Sequence, residues 1–315
     1  MNRKAIIISI SSDVLSNKEA ALIKKEKPWG IILFKRNITT PLKTINLIRH
    51  IRKIIKDKKY PILIDEEGGT VSRLTNFLDN KLYSQKYFGE LYLDNPKTAI
   101  YLYKNYLFSM MSVLKSLGVN INTTPVLDIK KKNTHKIIGS RSYSSNKLII
   151  KKLSNICLDL YKKNKLGTVI KHIPGHGSSS SDSHFKLPRV SNDLKELLKL
   201  DFHCFKKKDS FFAMTAHIIY SKIDSANVST HSNIIIKKII RNKIGFKGIL
   251  ISDDISMKAL KYDLLTNAKK SLSAGCNLVL YCAGKYKESA LLLRSLPKID
   301  NFTIKKTSEF YRFLS

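Results

Sequence analysis

Short, uninterrupted apolar runs alternate along the chain with longer segments in which hydrophobic residues recur every three or four positions. Eight runs read as strands: Ala5–Ile10, Gly30–Phe34, Pro61–Ile64, Val119–Val126, Thr168–His172, Phe211–His217, Gly248–Ser252 and Asn277–Cys282. Most lack polar alternation, as expected of strands covered on both faces in a parallel sheet. Helical spacing fills the intervals at Asn17–Lys25, Thr40–Lys56, Asn95–Leu117, Ser145–Lys163, Asn192–Phe205, His231–Ile244 and Leu264–Ala274. The period weakens past Lys285, where Glu288–Ser295 would supply the last helix. Strand then helix, eight times over, predicts an α/β fold: a single (β/α)8 barrel of the TIM type, residues 1–315 forming one domain. A doubly wound open sheet is the alternative, but no GxGxxG follows the first strand. No linker rich in Pro, Gly or Ser divides the chain, and the serine run Ser178–Ser181 lies inside a polar loop.

Composition changes this picture little. With 315 residues, 43% of them hydrophobic, the chain can bury a sizeable core. No run of eighteen apolar residues exists, so no membrane span is expected. The N-terminus imitates a signal peptide, but its apolar stretch is short, Asp13 interrupts it, and no small-residue cleavage pattern follows. It reads as the buried first strand of a cytoplasmic protein. Cys157, Cys204, Cys276 and Cys282 have no CxxC spacing and sit among apolar neighbours, which suits free core thiols and argues against zinc or disulfides.

The net charge of +33 is the unusual number. Such a field attracts nucleic acid, anionic lipid or an acidic substrate. The lysines are nevertheless dispersed among Ile and Asn, with neither a basic tail nor an aromatic-interleaved basic face. A solvated basic surface is the preferred reading, and nucleic acid is not an expected partner.

Barrels of this kind place their chemistry at the C-terminal ends of the strands. Polar clusters recur there: Asp65-Glu66-Glu67-Gly68-Gly69 with Arg73, Gly139-Ser140-Arg141-Ser142-Tyr143, Lys171-His172, Thr215-Ala216-His217 and Ser252-Asp253-Asp254. The densest is Lys171-His172-Ile173-Pro174-Gly175-His176-Gly177 running on to Asp182-Ser183-His184, with three histidines, a lysine and a carboxylate within fourteen residues. Singly, each has a plain explanation; the acidic double-glycine stretch could be a turn, and Ser-Asp-Asp a helix cap near Met257. Together on one rim they point to an active site. Carboxylates, arginines, a lysine and histidines without a phosphate loop or metal quartet suit a hydroxyl-rich substrate, because ionised groups make the stronger hydrogen bonds. Cleaving a glycosidic bond needs one carboxylate near the anomeric carbon and one proton donor on the leaving oxygen. No cofactor or metal is expected.

Three of these motifs, in this order, resemble those of the bacterial β-N-acetylhexosaminidases of glycoside hydrolase family 3: Asp65–Gly69 with Arg73, Lys171–Gly177 with Asp182-Ser183-His184, and Phe246–Met257. The similarity spans roughly residues 5 to 285. It implies that Asp253 attacks the anomeric carbon and that His184, partnered by Asp182, is the acid/base. It further implies that Asp65, Arg73, Arg141, Lys171 and His172 hold an N-acetylglucosamine ring, that His176 orients the loop and that His217 shapes the rim. The substrate implied is a peptidoglycan-derived anhydro-muropeptide, a carbohydrate partner handled by a monomer. Two departures stand out: Ser178-Ser179 replace a usual Asp-Thr, and Thr70 replaces an arginine common after the double glycine. Two rival readings stay open, a phosphorylase on the same scaffold and a non-catalytic basic binding protein.

Overall fold

The structure is a computed structural model that describes residues 2–130, 139–177 and 187–315. Among the described residues, eight parallel strands close into a barrel. They are β1 (Lys4–Ile8), β2 (Pro28–Leu33), β3 (Ile62–Ile64), β4 (Ile121–Asn122), β5 (Gly167–Ile173), β7 (Phe212–Thr215), β9 (Ile249–Asp254) and β10 (Leu278–Tyr281). β6 (Arg189–Val190) and β8 (Ile219–Tyr220) form a separate small parallel pair. All eight strands expected from the sequence are the barrel strands. The clearest shortening is at Val119–Val126, which pairs as a strand only at Ile121–Asn122; Pro125 has no N–H to continue the ladder.

Because successive strand residues face opposite ways, the apolar runs divide into two cores. Ile7, Ile32, Leu63, Ile121, Val169, Met214, Ile251 and Leu280 point inward and form one cluster inside the barrel. Ile6, Ile8, Ile31, Leu33, Ile64, Ile170 and Leu250 point outward and pack with the helices. The helix α2 (Pro41–Ile55) shows how that second core is built. Thr40 caps it by accepting from the Lys43 N–H, Pro41 opens it, and Thr44, Leu47, Ile48 and Ile51 make its buried stripe.

Two helices were not evident in the sequence. The helix at Gln85–Asp94 buries only Gln85, Phe88 and Gly89, so it carries no apolar stripe. The one at Asn301–Phe313 buries Thr303, Thr307 and Phe310, and two of those three read as polar. Inside the barrel the Thr307 hydroxyl accepts from Trp29 Nε1 at 2.9 Å while Phe310 packs on Phe212, closing the N-terminal end of the barrel. The expected helix Asn192–Phe205 is in fact a short helix, Leu194–Lys199, and a 3-10 turn, Phe202–Phe205. His231–Ile244 becomes a π-wound helix over Ile235–Ile244.

Candidate active site

The loop after β3 turns three consecutive acids to three different tasks. Asp65 reaches into a cavity of about 600 Å³ at the C-terminal mouth of the barrel. Glu66 turns away from it and is buried. Its carboxylate accepts from the Ser72 hydroxyl (3.0 Å), the Arg73 N–H (2.7 Å) and Asn80 Nδ2 (2.6 Å), fastening the loop that carries Arg73. Burial raises the Glu66 pKa, with those donors opposing it. Glu67 points into the barrel wall and takes both arms of the Arg141 guanidinium at 2.8 Å. Gly68 and Gly69 make this divergence possible with φ values of 79° and 65°, a region that side chains disfavour. A Cβ on Gly68 would also overlap the Tyr83 carbonyl.

A charge network ties these acids to the cations. The Lys171 ammonium is buried and bonds to Asp65 Oδ1, to Glu67 Oε1 at 2.6 Å and to the Thr123 hydroxyl at 3.0 Å. Arg73 donates to Asp65 Oδ2 at 2.6 Å and lies over the Phe34 ring. Burial opposes ionisation of Asp65, but Lys171, Arg73 and Arg141 outweigh it and hold the carboxyl well below its usual range. Glu67 is likewise lowered, with burial outweighed by Arg141 and Lys171. Breaking such a buried pair leaves an uncompensated charge, so the members stand or fall together.

His172 Nδ1 lies 2.7 Å from Asp128 Oδ2, and its Nε2 lies 3.3 Å from Arg141. A guanidinium only donates, so Nε2 is the accepting nitrogen and Nδ1 carries the proton to Asp128. Asp128 also accepts from the His176 N–H at 2.6 Å, which anchors the start of the motif loop. His176 itself is buried and pushed down to about 4 by that burial. The Arg141 loop is braced by the helix at Gln85–Asp94. Gln85 Nε2 donates to the Arg141 carbonyl at 2.7 Å, and a Cβ on Gly89 would overlap the Tyr143 carbonyl oxygen.

Asp253 lies on the far wall of the same cavity, still within β9 and one residue beyond the strand end expected from sequence. The Asp254 N–H donates to Asp253 Oδ1 at 2.8 Å, and the Asp253 N–H donates to the Thr215 hydroxyl at 3.3 Å. Asp254 caps a turn by accepting from Ser256 Oγ at 2.7 Å; the next helix begins only at Leu264, behind its own cap Asp263. Burial raises the Asp254 carboxyl, and the neighbouring Asp253 adds to the effect. Cys282 lines this wall as a thiol whose pKa burial pushes up, with Asp254 and Asp253 adding to the rise.

The cavity thus gathers Asp65, Arg73, Arg141, Lys171, His172 and Asp253. His217 lies one layer behind it, buried against β9 and outside the lining. Asp182 and His184 lie outside the described residues. Asp128 and Thr123 were missed by sequence reasoning, and Glu67, though inside the acidic cluster it singled out, was given no role. Asp128 follows the fourth strand run as the other acids follow theirs, and that position alone could have flagged it.

An α/β barrel whose mouth holds ionised acids and fixed cations around an open cavity has the groups that glycosidase chemistry uses. The chain belongs to glycosyl hydrolase family 3: the Glycosyl hydrolase family 3 N terminal domain matches residues 6–307. A Beta-hexosaminidase of Bordetella pertussis is 30% identical over 284 residues, 88% of this chain and 79% of that protein. One from Actinobacillus pleuropneumoniae serotype 5b is 30% identical over 283 residues, 88% and 80% of the two chains. The crystal structure of NagZ from Neisseria gonorrhoeae in complex with N-trifluoroacetyl-D-glucosamine aligns with a TM-score of 0.88 at 26% identity. That alignment covers 100% of this chain and 90% of that one.

Proposed function

We propose that the protein is a retaining exo-β-N-acetylglucosaminidase that removes terminal β-linked N-acetylglucosamine from peptidoglycan-derived anhydro-muropeptides. Asp253 is the nucleophile, and His184 with Asp182 is the acid/base. The observation that carries this reading is Asp253 sharing one cavity with Asp65, Arg73, Arg141, Lys171 and His172 in a family 3 chain. The Beta-hexosaminidase relatives and the sugar analogue bound by gonococcal NagZ support the choice of ring. The same reading takes residues 1–315 as one barrel domain of a cytoplasmic monomer.

In the first step an Asp253 oxygen bonds to the anomeric carbon as the bond to the aglycone oxygen breaks and His184 gives that oxygen its proton. In the second, water loses a proton to His184, bonds to the same carbon and releases Asp253; two inversions give retention. Imidazole suits both halves because its unperturbed pKa is about 6.5 and a carboxylate partner raises it. Asp65, kept ionised by its cations, is the acceptor for ring hydroxyls.

Turnover of an aryl β-N-acetylglucosaminide, with the aryl β-glucoside as control, tests the reading. Asp253→Ala is expected to lose roughly 10⁴-fold in kcat, and His184→Ala at least about 10²-fold, both with an unchanged Tm. Wild-type turnover in either variant removes that residue from its role. Release of the sugar 1-phosphate when phosphate is supplied would replace hydrolysis with phosphorolysis.

A further inference from the structure

The end of β9 leaves its ladder with β7 before Asp253 and keeps only an irregular pairing with β10 there. The register with β7 runs Phe212 to Ile249, Ala213 to Leu250 and Met214 to Ile251, and goes no further. On the other side the pairing with β10 shifts between Leu278 and Leu280 and resumes at Asp254, with the Ile255 N–H donating to the Leu280 carbonyl. On the β7 side the Asp253 and Asp254 peptide groups therefore take partners other than the ladder, since buried backbone donors and acceptors are costly to leave unpaired.

Side chains supply them. The Asp253 N–H donates to Thr215 Oγ1 at 3.3 Å. Thr215 and Thr230 hydroxyls lie 2.8 Å apart, and Thr230 Oγ1 is 2.8 Å from His217 Nδ1. His217 Nε2 is 3.0 Å from the Asp254 carbonyl oxygen. Counting hydrogens fixes the directions. The Asp254 carbonyl can only accept, so Nε2 carries the proton, and in a neutral ring Nδ1 must accept. Thr230, 2.8 Å from Nδ1 and 3.2 Å from the Ala216 carbonyl, then gives its one hydrogen to the nearer Nδ1 and accepts from Thr215, whose oxygen accepts from Asp253. Each proton is then used once, and the chain of bonds starts at the Asp253 N–H and ends at the Asp254 carbonyl. Burial lowers the His217 pKa, in keeping with the neutral ring this pattern needs.

We infer that Thr215, Thr230 and His217 are positioning residues that fix the Asp253 backbone, and with it the angle at which its carboxylate meets the anomeric carbon. This rests on Asp253 being the nucleophile. Misplacement by about 1 Å costs on the order of 10²-fold in rate, so Thr230→Val should lower kcat by about 10- to 100-fold with little change in KM. Thr230→Ser, which keeps the hydroxyl, should restore most of it. His217→Gln keeps an amide N–H near Nε2 but loses the acceptor for Thr230, and an intermediate loss is expected.

The decisive measurement is the rate at which a 5-fluoro N-acetylglucosaminyl fluoride labels each protein, with the labelled peptide mapped by mass spectrometry. Slow labelling of Asp253 in Thr230→Val, recovering in Thr230→Ser, supports the inference. Labelling of Asp253 at the wild-type rate in Thr230→Val overturns it. A wild-type label on another residue overturns the nucleophile assignment instead. Should Thr230→Val fail to fold, a wild-type labelling rate in His217→Gln overturns the inference equally well.

Discussion

The two ends of the barrel solve the same burial problem in opposite ways. At the N-terminal floor, Trp29, Phe212 and Phe310 meet edge to face, with ring centroids 5.5 and 5.0 Å apart, and the indole donates to Thr307. At the C-terminal mouth, the cavity lining and the wall behind it carry Asp65, Lys171, Arg141 and Glu67, each with an opposite charge within hydrogen-bonding distance. The floor gains stability from apolar area removed from water. The mouth loses hydration and recovers it only through pairing. Stability and reactivity are thus assigned to separate ends of one set of strands.

Changes at either end test that division. Lys171→Met leaves Asp65 and Glu67 as buried acids without their shared cation, and should cost about 3–5 kcal/mol in urea denaturation. Lys171 holds the Asp65 pKa down. Its removal therefore raises that pKa, and the acid limb of kcat/KM should move to higher pH. Phe310→Ala should cost a similar or slightly smaller amount, about 3–4 kcal/mol, yet leave kcat/KM of the folded enzyme unchanged. A tenfold fall in kcat/KM there would mean that the two ends are not independent.

The smallest effect concerns pH. His176 and His231 are pushed down to about 4, first of all by burial. The unfolded chain binds protons at these rings near the ordinary 6.5, so their contribution to stability is full above that pH and declines as pH falls towards 4. The residues packed together at the floor, Trp29, Phe212, Thr303, Thr307 and Phe310, include no histidine. Hydrogen exchange should accordingly speed up at the mouth before the floor between pH 6.5 and 5. Uniform exchange across both ends would contradict this.

Much of this was legible in the chain. Eight apolar runs gave eight strands because strands buried on both faces leave little room for ambiguity. The motifs at their ends marked the mouth for the same reason. What the sequence could not show was which way a residue turns. Asp65-Glu66-Glu67 reads as three equivalent acids until Gly68 and Gly69 set the backbone. His217 reads as a rim residue but is directed behind β9, where the ladder with β7 ends. The floor helix was hidden because Thr303 and Thr307 look like surface residues until they are seen buried, with the Thr307 hydroxyl donating to the Thr303 carbonyl and accepting from Trp29.

The bare α-carbon at Gly89 has a wider consequence. It sits on a surface helix that touches no part of the cavity, yet its backbone lies directly against the segment presenting Arg141. Even an alanine there would have to push that segment aside. A mutational survey would find this spot intolerant without any visible link to the reaction, and the penalty would be felt as poor grip on the sugar before it was felt as a molten chain.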